Sequence, residues 1–186
     1  MFREALKIVL DRLQAARSKG LVDSYVLIGG LAVSAWGIPR ATQDLDFAIG
    51  LGTSRPDALA VEMRGRYQAG GDDDPLRGVI DGHVEGSGGA VRFQLIMLPD
   101  RLVRHVFESI APMVVMDCHV PVVSWQGLVL VLLKLYGWGP QDQVDAEQIL
   151  RVQRPTGEQL HVLAQQAQQL DLAEEWASLT RRIESL

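Results

Sequence analysis

Residues 25–49 constrain the fold most, because an uninterrupted run of large side chains stops there at two adjacent glycines. The first four residues, YVLI, are bulky or β-branched, which favours a strand buried on both faces. Gly29 and Gly30 permit backbone angles and close approaches that a Cβ would block, and good helix formers follow them. The pattern predicts a strand, a tight turn and a short helix whose exposed N–H groups suit an anion.

A second strand is predicted where residues 44–49 alternate polar and apolar side chains. The alternation places Asp44 and Asp46 on one face. Two adjacent carboxylates repel each other, and the local sequence offers only Arg40 as a nearby cation. A bound Mg²⁺ or Mn²⁺ would resolve the conflict, because such an ion takes one or two protein carboxylates and completes its shell with water and phosphate oxygens. The alternative is a solvated strand face, but the glycine turn upstream favours the metal site.

Composition limits the classes of protein that fit. The chain has 186 residues, 47% of them hydrophobic, which suffices for one domain with a core, or for a core with a helical appendage. The net charge of −5 means that any contact with nucleic acid would need a local basic patch. Cys118 is the single cysteine, which rules out an intrachain disulfide. Because the longest uncharged segment, residues 118–133, is too short to span a membrane, we expect a soluble protein without membrane contact. The single cysteine fits a reducing environment, so we expect a cytoplasmic location.

Further helices and strands are predicted around this centre. Apolar residues at helical spacing mark a first helix over residues 6–16, and another helix is predicted over residues 56–67. Residues 78–85 and 90–98 flank a Gly-Ser-Gly-Gly segment, which is a hairpin signal. One apolar, β-rich segment is predicted within residues 112–123.

Residues 124–150 predict two more helices. Ser124 suits an N-cap, and the run that follows is apolar nearly all round except at Lys134. Lys134 can extend its ammonium to water, or it can project into a polar cleft and meet phosphate. A Gly-Trp-Gly-Pro segment breaks this helix. Asp142 and Asp145 then lie one turn apart near the positive end of the next helix, where capping is the alternative to a functional role.

Other motifs are weak or missing. The acidic run at residues 72–74 precedes a proline and is typical of a polar turn, with metal binding as the less favoured alternative. The sequence contains no Walker motif, no dinucleotide glycine signature, no HExxH helix and no GxSxG elbow. The acidic pair of residues 44 and 46 is therefore the main catalytic candidate.

The glycine pair followed by Arg40-x-Thr42-x-Asp44-x-Asp46 resembles the signature of minimal nucleotidyltransferases of the DNA polymerase β superfamily. Residues 120–150 are similar to the lysine and acidic segment of its AbiEii/MenT-like branch, which includes toxin nucleotidyltransferases. The similarity runs from about residue 21 to residue 150.

We expect an α/β (α+β) fold in which a small mixed, mainly antiparallel sheet is flanked by helices. Residues 1–123 would form the nucleotidyltransferase core, and residues 124–186 would form a C-terminal helical part packed on it.

The resemblance implies a metal site and a cradle for a nucleoside triphosphate. Asp44 and Asp46 would hold Mg²⁺ or Mn²⁺. The nucleotide-binding residues would be Gly29, Gly30, Arg40, Thr42, Lys134 and Asp145. The catalytic residues would be Asp44, Asp46, Lys134 and Asp142. Such an enzyme would transfer NMP from an NTP to a hydroxyl on RNA such as tRNA, on protein or on a small molecule, and the branch also suggests a toxin with an antitoxin partner.

One position departs from the pattern. Many members carry a third carboxylate on a later strand, and the segment VRFQLIM places Gln94 there. An amide cannot act as a general base, and it binds a metal more weakly than a carboxylate does. Two interpretations stay open. Either a water or a residue such as Asp142 compensates in an active enzyme, or the chain is a non-catalytic nucleotide-binding or partner-binding module on the same fold.

Overall fold

The computed structural model describes residues 1–71, 74–135 and 139–184. Outside these ranges lie parts of two predicted features, namely Asp72 and Asp73 of the acidic run and Gly137 and Trp138 of the helix break. The helices are α1 (Phe2–Ser18), α2 (Gly29–Ala35), α3 (Pro56–Met63), α4 (Asp100–Phe107), α5 (Trp125–Leu135), α6 (Pro140–Gln153), α7 (Gly157–Gln169) and α8 (Ala173–Glu184). The strands are β1 (Ser24–Ile28), β2 (Asp44–Gly50), β3 (Gly65–Ala69), β4 (Gly78–Gly86), β5 (Gly89–Met97), β6 (Ile110–Val115) and β7 (Cys118–Val123).

The described strands form one mixed sheet in the order β3-β4-β5-β2-β1-β7-β6. The pairs β1–β7 and β2–β5 are parallel. The remaining neighbours are antiparallel. The predicted α/β fold with a mixed, mainly antiparallel sheet is therefore confirmed.

The predicted strand, turn, helix and second strand lie at the centre of this sheet. β1 runs into α2 at Gly29, and the chain returns antiparallel to β1 as β2, with Ile28 opposite Asp46. On its other side β2 pairs with β5, which places Gln94 directly opposite Asp46. The glycine turn and β5 therefore lie on the two sides of the acidic pair.

One continuous cluster of buried side chains joins the sheet to the helices before and after Ser124. In α5, residues 128–133 are all buried, which accounts for the apolar composition of this helix. The Ser124 hydroxyl accepts a hydrogen bond from the Gly127 N–H at 3.1 Å, as predicted for an N-cap. Within the described ranges, no helix combines the length and the apolar character that crossing a membrane requires.

The helix predicted over residues 56–67 is shorter than expected. It ends at Met63, where Arg64 adopts a left-handed conformation with φ of 56°, and β3 begins at Gly65. A Cβ at Gly65 would come within 2.9 Å of the Asp81 carbonyl oxygen, so the backbones of β3 and β4 approach closely at this point. The prediction of one continuous helix was wrong, because local periodicity does not detect this contact between strands.

The single β-rich segment predicted within residues 112–123 is two strands. β6 and β7 form an antiparallel hairpin with Val115 opposite Cys118. Met116 and Asp117 connect them with φ of 49° and 61°, as in a type I′ turn. Such turns usually contain Gly or Asn, and neither stands at these two positions, so the sequence did not indicate the turn.

Leu13 provides a test of the packing of α1. Its side chain is fully buried, so Leu13→Ala should lower the free energy of unfolding by about 2–5 kcal/mol in chemical denaturation. Val61 is 79% exposed, so Val61→Ala should change it by no more than about 0.5 kcal/mol. Equal effects of the two substitutions would contradict this packing.

Candidate nucleotide and metal site

A polar cavity of about 390 Å³ opens where β1 ends and β2 begins. It is bounded by the glycine turn, the segment leading into β2, one residue each from β5 and α5, and the start of α6. The lining residues are Gly29, Gly30, Arg40, Ala41, Thr42, Gln43, Asp44, Asp46, Gln94, Leu132, Asp142 and Asp145. The structure thus brings together every site residue predicted from the sequence except Lys134.

The glycine turn is shaped to receive the side chain of Asp46. Gly29 has φ of +68°, and a Cβ placed there would overlap the Asp46 Oδ2. A Cβ at Gly30 would lie 3.0 Å from the Thr42 Cβ, which is also tighter than ordinary packing. Gly29 is required for two reasons, because a side chain there would be strained in its backbone and would displace a carboxylate.

Asp44 and Asp46 lie on one face at the start of β2, as the alternation predicted. Burial, and then the negative charge of Asp44, raise the pKa of Asp46 to about 6, while the charge of Arg92 opposes this shift. Asp44 is more open, with 34% of its side chain exposed. Keeping the Asp46 carboxylate ionised therefore costs free energy, and a nearby cation would reduce this cost.

Arg92 on β5, and not Arg40, is the cation that contacts the acidic pair. The Arg92 Nη1 lies 3.5 Å from the Asp44 Oδ2. The opposite edge of the guanidinium contacts Asp81 on β4, where Nε donates to Oδ2 at 2.9 Å and Nη2 donates to the same oxygen. The hydrogen bonds from Arg92 lower the pKa of Asp81. Arg92 thus links β2 to β4 across β5.

Arg40 instead binds Asp145 of α6. The Arg40 Nε donates to the Asp145 Oδ2 at 2.9 Å, and Gln141 donates to the other oxygen at 2.7 Å. Only 4% of the Asp145 side chain is exposed, so this ion pair is largely sheltered from solvent. The pair ties the segment before β2 to α6, and both residues still line the cavity.

Thr42 and Asp142 make local contacts at the rim. The Thr42 hydroxyl donates to the Asp44 carbonyl oxygen at 3.2 Å. The Asp142 Oδ2 accepts the Gly139 N–H at 3.0 Å, so Asp142 caps the start of α6. Burial is the main cause that raises the pKa of Asp142. The capping interpretation of Asp142 is therefore the one that the structure contains, and its carboxylate remains part of the cavity wall.

Lys134 lies on another side of α5 from the cavity. Leu132 lines the cavity, and two residues further along an α-helix correspond to a rotation of about 200°. The half-buried Lys134 donates from its ammonium to the Leu170 carbonyl oxygen at 3.4 Å. The predicted contact between Lys134 and phosphate stays a prediction, and it requires the side chain to leave Leu170.

The cavity fits a hard divalent cation bound by few protein ligands. Four aspartates line it, and Arg40, the one lining cation among the described residues, is already paired. A triphosphate would add more negative charge to these walls. Among the described residues, no group of three or more His, Cys, Asp or Glu side chains could hold a metal. The donors on offer are thus two carboxylates, the set that Mg²⁺ accepts when water and phosphates complete its shell.

Sequence reasoning missed Arg92 and Asp81. Both were visible as polar residues in predicted strands, Arg92 on the same face as Gln94. Their relation to Asp44 depends on the parallel pairing of β2 with β5, which no local pattern specifies.

No protein-family model matches the chain, and no curated protein matches its sequence. Several solved structures, however, are similar to this chain in fold. The solution structure of the antibiotic-resistance factor ANT(2'')-Ia is similar with a TM-score of 0.53 at 14% identity, covering 96% of this chain and 97% of that chain. ANT(2'')-Ia in complex with adenylyl-2''-tobramycin gives 0.53 at 16% identity, with coverage of 95% and 97%. An antigenic nucleotidyltransferase-like protein from Paracoccidioides brasiliensis gives 0.51 at 16% identity, with coverage of 92% and 91%. At these identities, the similarity establishes a nucleotidyltransferase fold and no more.

Gly29 can be tested against Gly20, which has nearly the same φ, +70°, but no atom within 4 Å of the place that a Cβ would take. Gly20→Ala should cost about 1–2 kcal/mol for the left-handed backbone alone. Gly29→Ala should lower the free energy of unfolding by about 1 kcal/mol more, because its methyl group meets the Asp46 carboxylate. Chemical denaturation measures both, and equal losses would contradict the close approach.

The raised pKa of Asp46 predicts how stability depends on pH in EDTA. The folded-state pKa of about 6 exceeds the unfolded value of about 3.9, so the contribution of Asp46 to stability should fall as pH rises between these values. Asp46→Asn removes this loss. The variant should gain on the wild type between about pH 4 and pH 7.5, by up to about 3 kcal/mol. A difference in unfolding free energy that does not change with pH would contradict the assignment.

Proposed function

We propose that this protein is a Mg²⁺-dependent nucleotidyltransferase that moves NMP from an NTP to an acceptor hydroxyl. The observation that carries the proposal is the Asp44–Asp46 pair packed on the glycine turn, inside a cavity of a nucleotidyltransferase fold. Mn²⁺ would serve in the same place, because it also prefers carboxylate and water oxygens.

The reaction is an in-line displacement at the α-phosphorus. The acceptor oxygen forms a bond to phosphorus, the bond to the bridging oxygen of pyrophosphate breaks, and pyrophosphate leaves. A bound Mg²⁺ would neutralise the carboxylates and stabilise the charge on the phosphate oxygens. The protein supplies position and charge, which are the main contributions that such a transfer requires.

The cavity residues supply these contributions in different ways. Asp44 and Asp46 present oxygens to the metal, and the turn at Gly29 and Gly30 lets backbone approach a phosphate without a side chain between them. Arg40 offers positive charge at the wall and is held there by Asp145. We retain Lys134 as a further phosphate ligand, reached by a change of its rotamer.

The acceptor is proposed only as a hydroxyl on RNA such as tRNA, on protein or on a small molecule. The complex of ANT(2'')-Ia with adenylyl-2''-tobramycin supports a nucleotide substrate for this fold. A toxin-type enzyme with an antitoxin partner is supported only by the resemblance of residues 120–150 to the AbiEii/MenT-like branch.

A second candidate function is a nucleotide-binding module without catalysis. The observation that favours it is the position of Gln94 directly opposite Asp46, where many enzymes of this superfamily have an acid. Such a module would bind an NTP and release it unchanged.

Incubation with each of four α-labelled NTPs, Mg²⁺ and cell extract distinguishes these functions. We expect wild-type protein to transfer label to RNA, protein or a small molecule. Asp46→Asn should abolish the transfer, because the metal loses a carboxylate. Asp57→Asn, which changes an exposed acid on α3, should leave it unaltered.

Transfer that survives Asp46→Asn would contradict the assignment of the site. Binding of an NTP by the wild type without any labelled product would favour the non-catalytic module.

A further inference from the structure

A row of three side chains begins at the acidic pair and runs across the neighbouring strands β2, β5 and β4. Asp46 on β2 is opposite Gln94 on β5, and Gln94 is opposite Asp81 on β4. Residues paired in this way project from the same face of a sheet. An amide therefore stands between two carboxylates, and the outer carboxylate comes from a strand that the sequence motif does not include.

A second polar cavity of about 850 Å³ lies on the outer side of this row. Asp81, Arg92 and Gln94 line it, together with Arg66 and His83. Gln94 also lines the first cavity, so the two cavities adjoin at this residue. A molecule in the second cavity would thus reach the edge of the proposed nucleotide site.

We propose that the second cavity receives the acceptor and that Asp81 is the carboxylate that accepts a hydrogen bond from its hydroxyl. This inference rests on the proposed nucleotidyl transfer and assigns the acceptor side of it. Asp81 takes over the task of the acid that Gln94 replaces, from the neighbouring strand.

The spacing of the strands agrees with this role. Neighbouring strands lie about 4.8 Å apart, so the backbones at Asp46 and Asp81 are roughly 10 Å apart. The Gln94 side chain stands between these two aspartates, with its Nε2 3.4 Å from the Asp81 Oδ2. The acceptor oxygen would lie beyond the end of the Gln94 amide, where the two cavities adjoin.

Arg92 and Gln94 hold the Asp81 carboxylate in place. Arg92 binds it through Nε and Nη2, and the Gln94 Nε2 lies 3.4 Å from its Oδ2. These contacts keep Asp81 ionised and fix its direction, which suits a group that orients a hydroxyl. Arg92 also contacts Asp44, so one guanidinium connects the acceptor carboxylate to the metal carboxylate.

The other described acids that line the two cavities, outside the metal pair, lie outside this row and have local partners of their own. Asp142 caps α6, and Asp145 is bound by Arg40 and Gln141. Asp74 accepts the N–H of Leu76 at 2.9 Å in a local turn. Among the described lining acids outside the metal pair, Asp81 is the one that shares a row with Asp46.

The step balances without another reactant. The acceptor oxygen bonds to the α-phosphorus as pyrophosphate leaves, and the hydroxyl proton passes to water while Asp81 orients the hydroxyl. The gain comes mainly from orientation, because one carboxylate holds the hydroxyl in line with the bond that breaks.

The test uses Asp81→Asn with Glu85→Gln as its control. Glu85 is an exposed acid four residues along β4 and on the same face, so its loss removes an equal charge. With the α-labelled NTP and extract that give transfer, Asp81→Asn should lower kcat on the order of 100-fold. KM for the NTP should change little, and Glu85→Gln should behave as wild type.

Two further measurements separate catalysis from structure. An α,β-methylene NTP with Mg²⁺ should bind Asp81→Asn with wild-type affinity in calorimetry, and thermal melting should show a folded protein. The double variant Asp81→Asn with Gln94→Asp should recover most of the lost rate, because it returns a carboxylate to the neighbouring strand.

Several results would overturn the inference. Normal transfer by Asp81→Asn, while Asp46→Asn is inactive, would refute the role of Asp81 and leave the proposed function standing. Loss of activity with loss of analogue binding, and no recovery in the double variant, would mean that Asp81 only maintains the fold through Arg92. Absence of transfer by the wild type would contradict the proposed function and this inference together.

Discussion

The contact between the Asp46 carboxylate and Gly29 is the constraint on which the site depends. β1 ends directly opposite Asp46, so the turn that follows must pass beside a half-buried carboxylate. Only a residue without a Cβ fits there, and the positive φ of Gly29 turns the chain into α2 at the same point. The glycine turn and the acidic strand are thus one unit of structure, although a short helix separates them in the sequence.

This unit places two negative charges close together, and the cations near the cavity compensate them only in part. Asp46 is half-buried beside Asp44, and Arg92 compensates the pair from one side. Arg40 is used by Asp145. Arg92 and Arg40 therefore both already have carboxylate partners. A divalent cation that arrives with a nucleotide would bring the missing positive charge, which explains physically why metal and triphosphate would bind together.

The sequence was sufficient for the centre of the fold and insufficient for its connections. The strand ending at Ile28, the acidic face of β2 and the hairpin of β4 and β5 follow from local patterns, and the structure contains all of them. The hairpin at Met116–Asp117 was not predicted, because Met116 is not a usual turn former and no glycine follows Asp117. Lys134 was predicted to face phosphate, but helical phase and the Leu170 carbonyl set its present direction. Arg92 and Asp81 reach the site because β5 pairs with β2 and β4 pairs with β5. Local sequence patterns do not predict which distant strands pair.

A Mn²⁺ titration followed by electron paramagnetic resonance tests the central claim most directly. Wild-type protein, Asp44→Asn and Asp46→Asn would each be titrated with and without an α,β-methylene NTP. The account predicts that wild-type protein immobilises Mn²⁺ much more strongly when the analogue is present, and that both substitutions remove this effect. Wild-type protein that binds the analogue equally well in EDTA, or variants that immobilise Mn²⁺ as the wild type does, would contradict it.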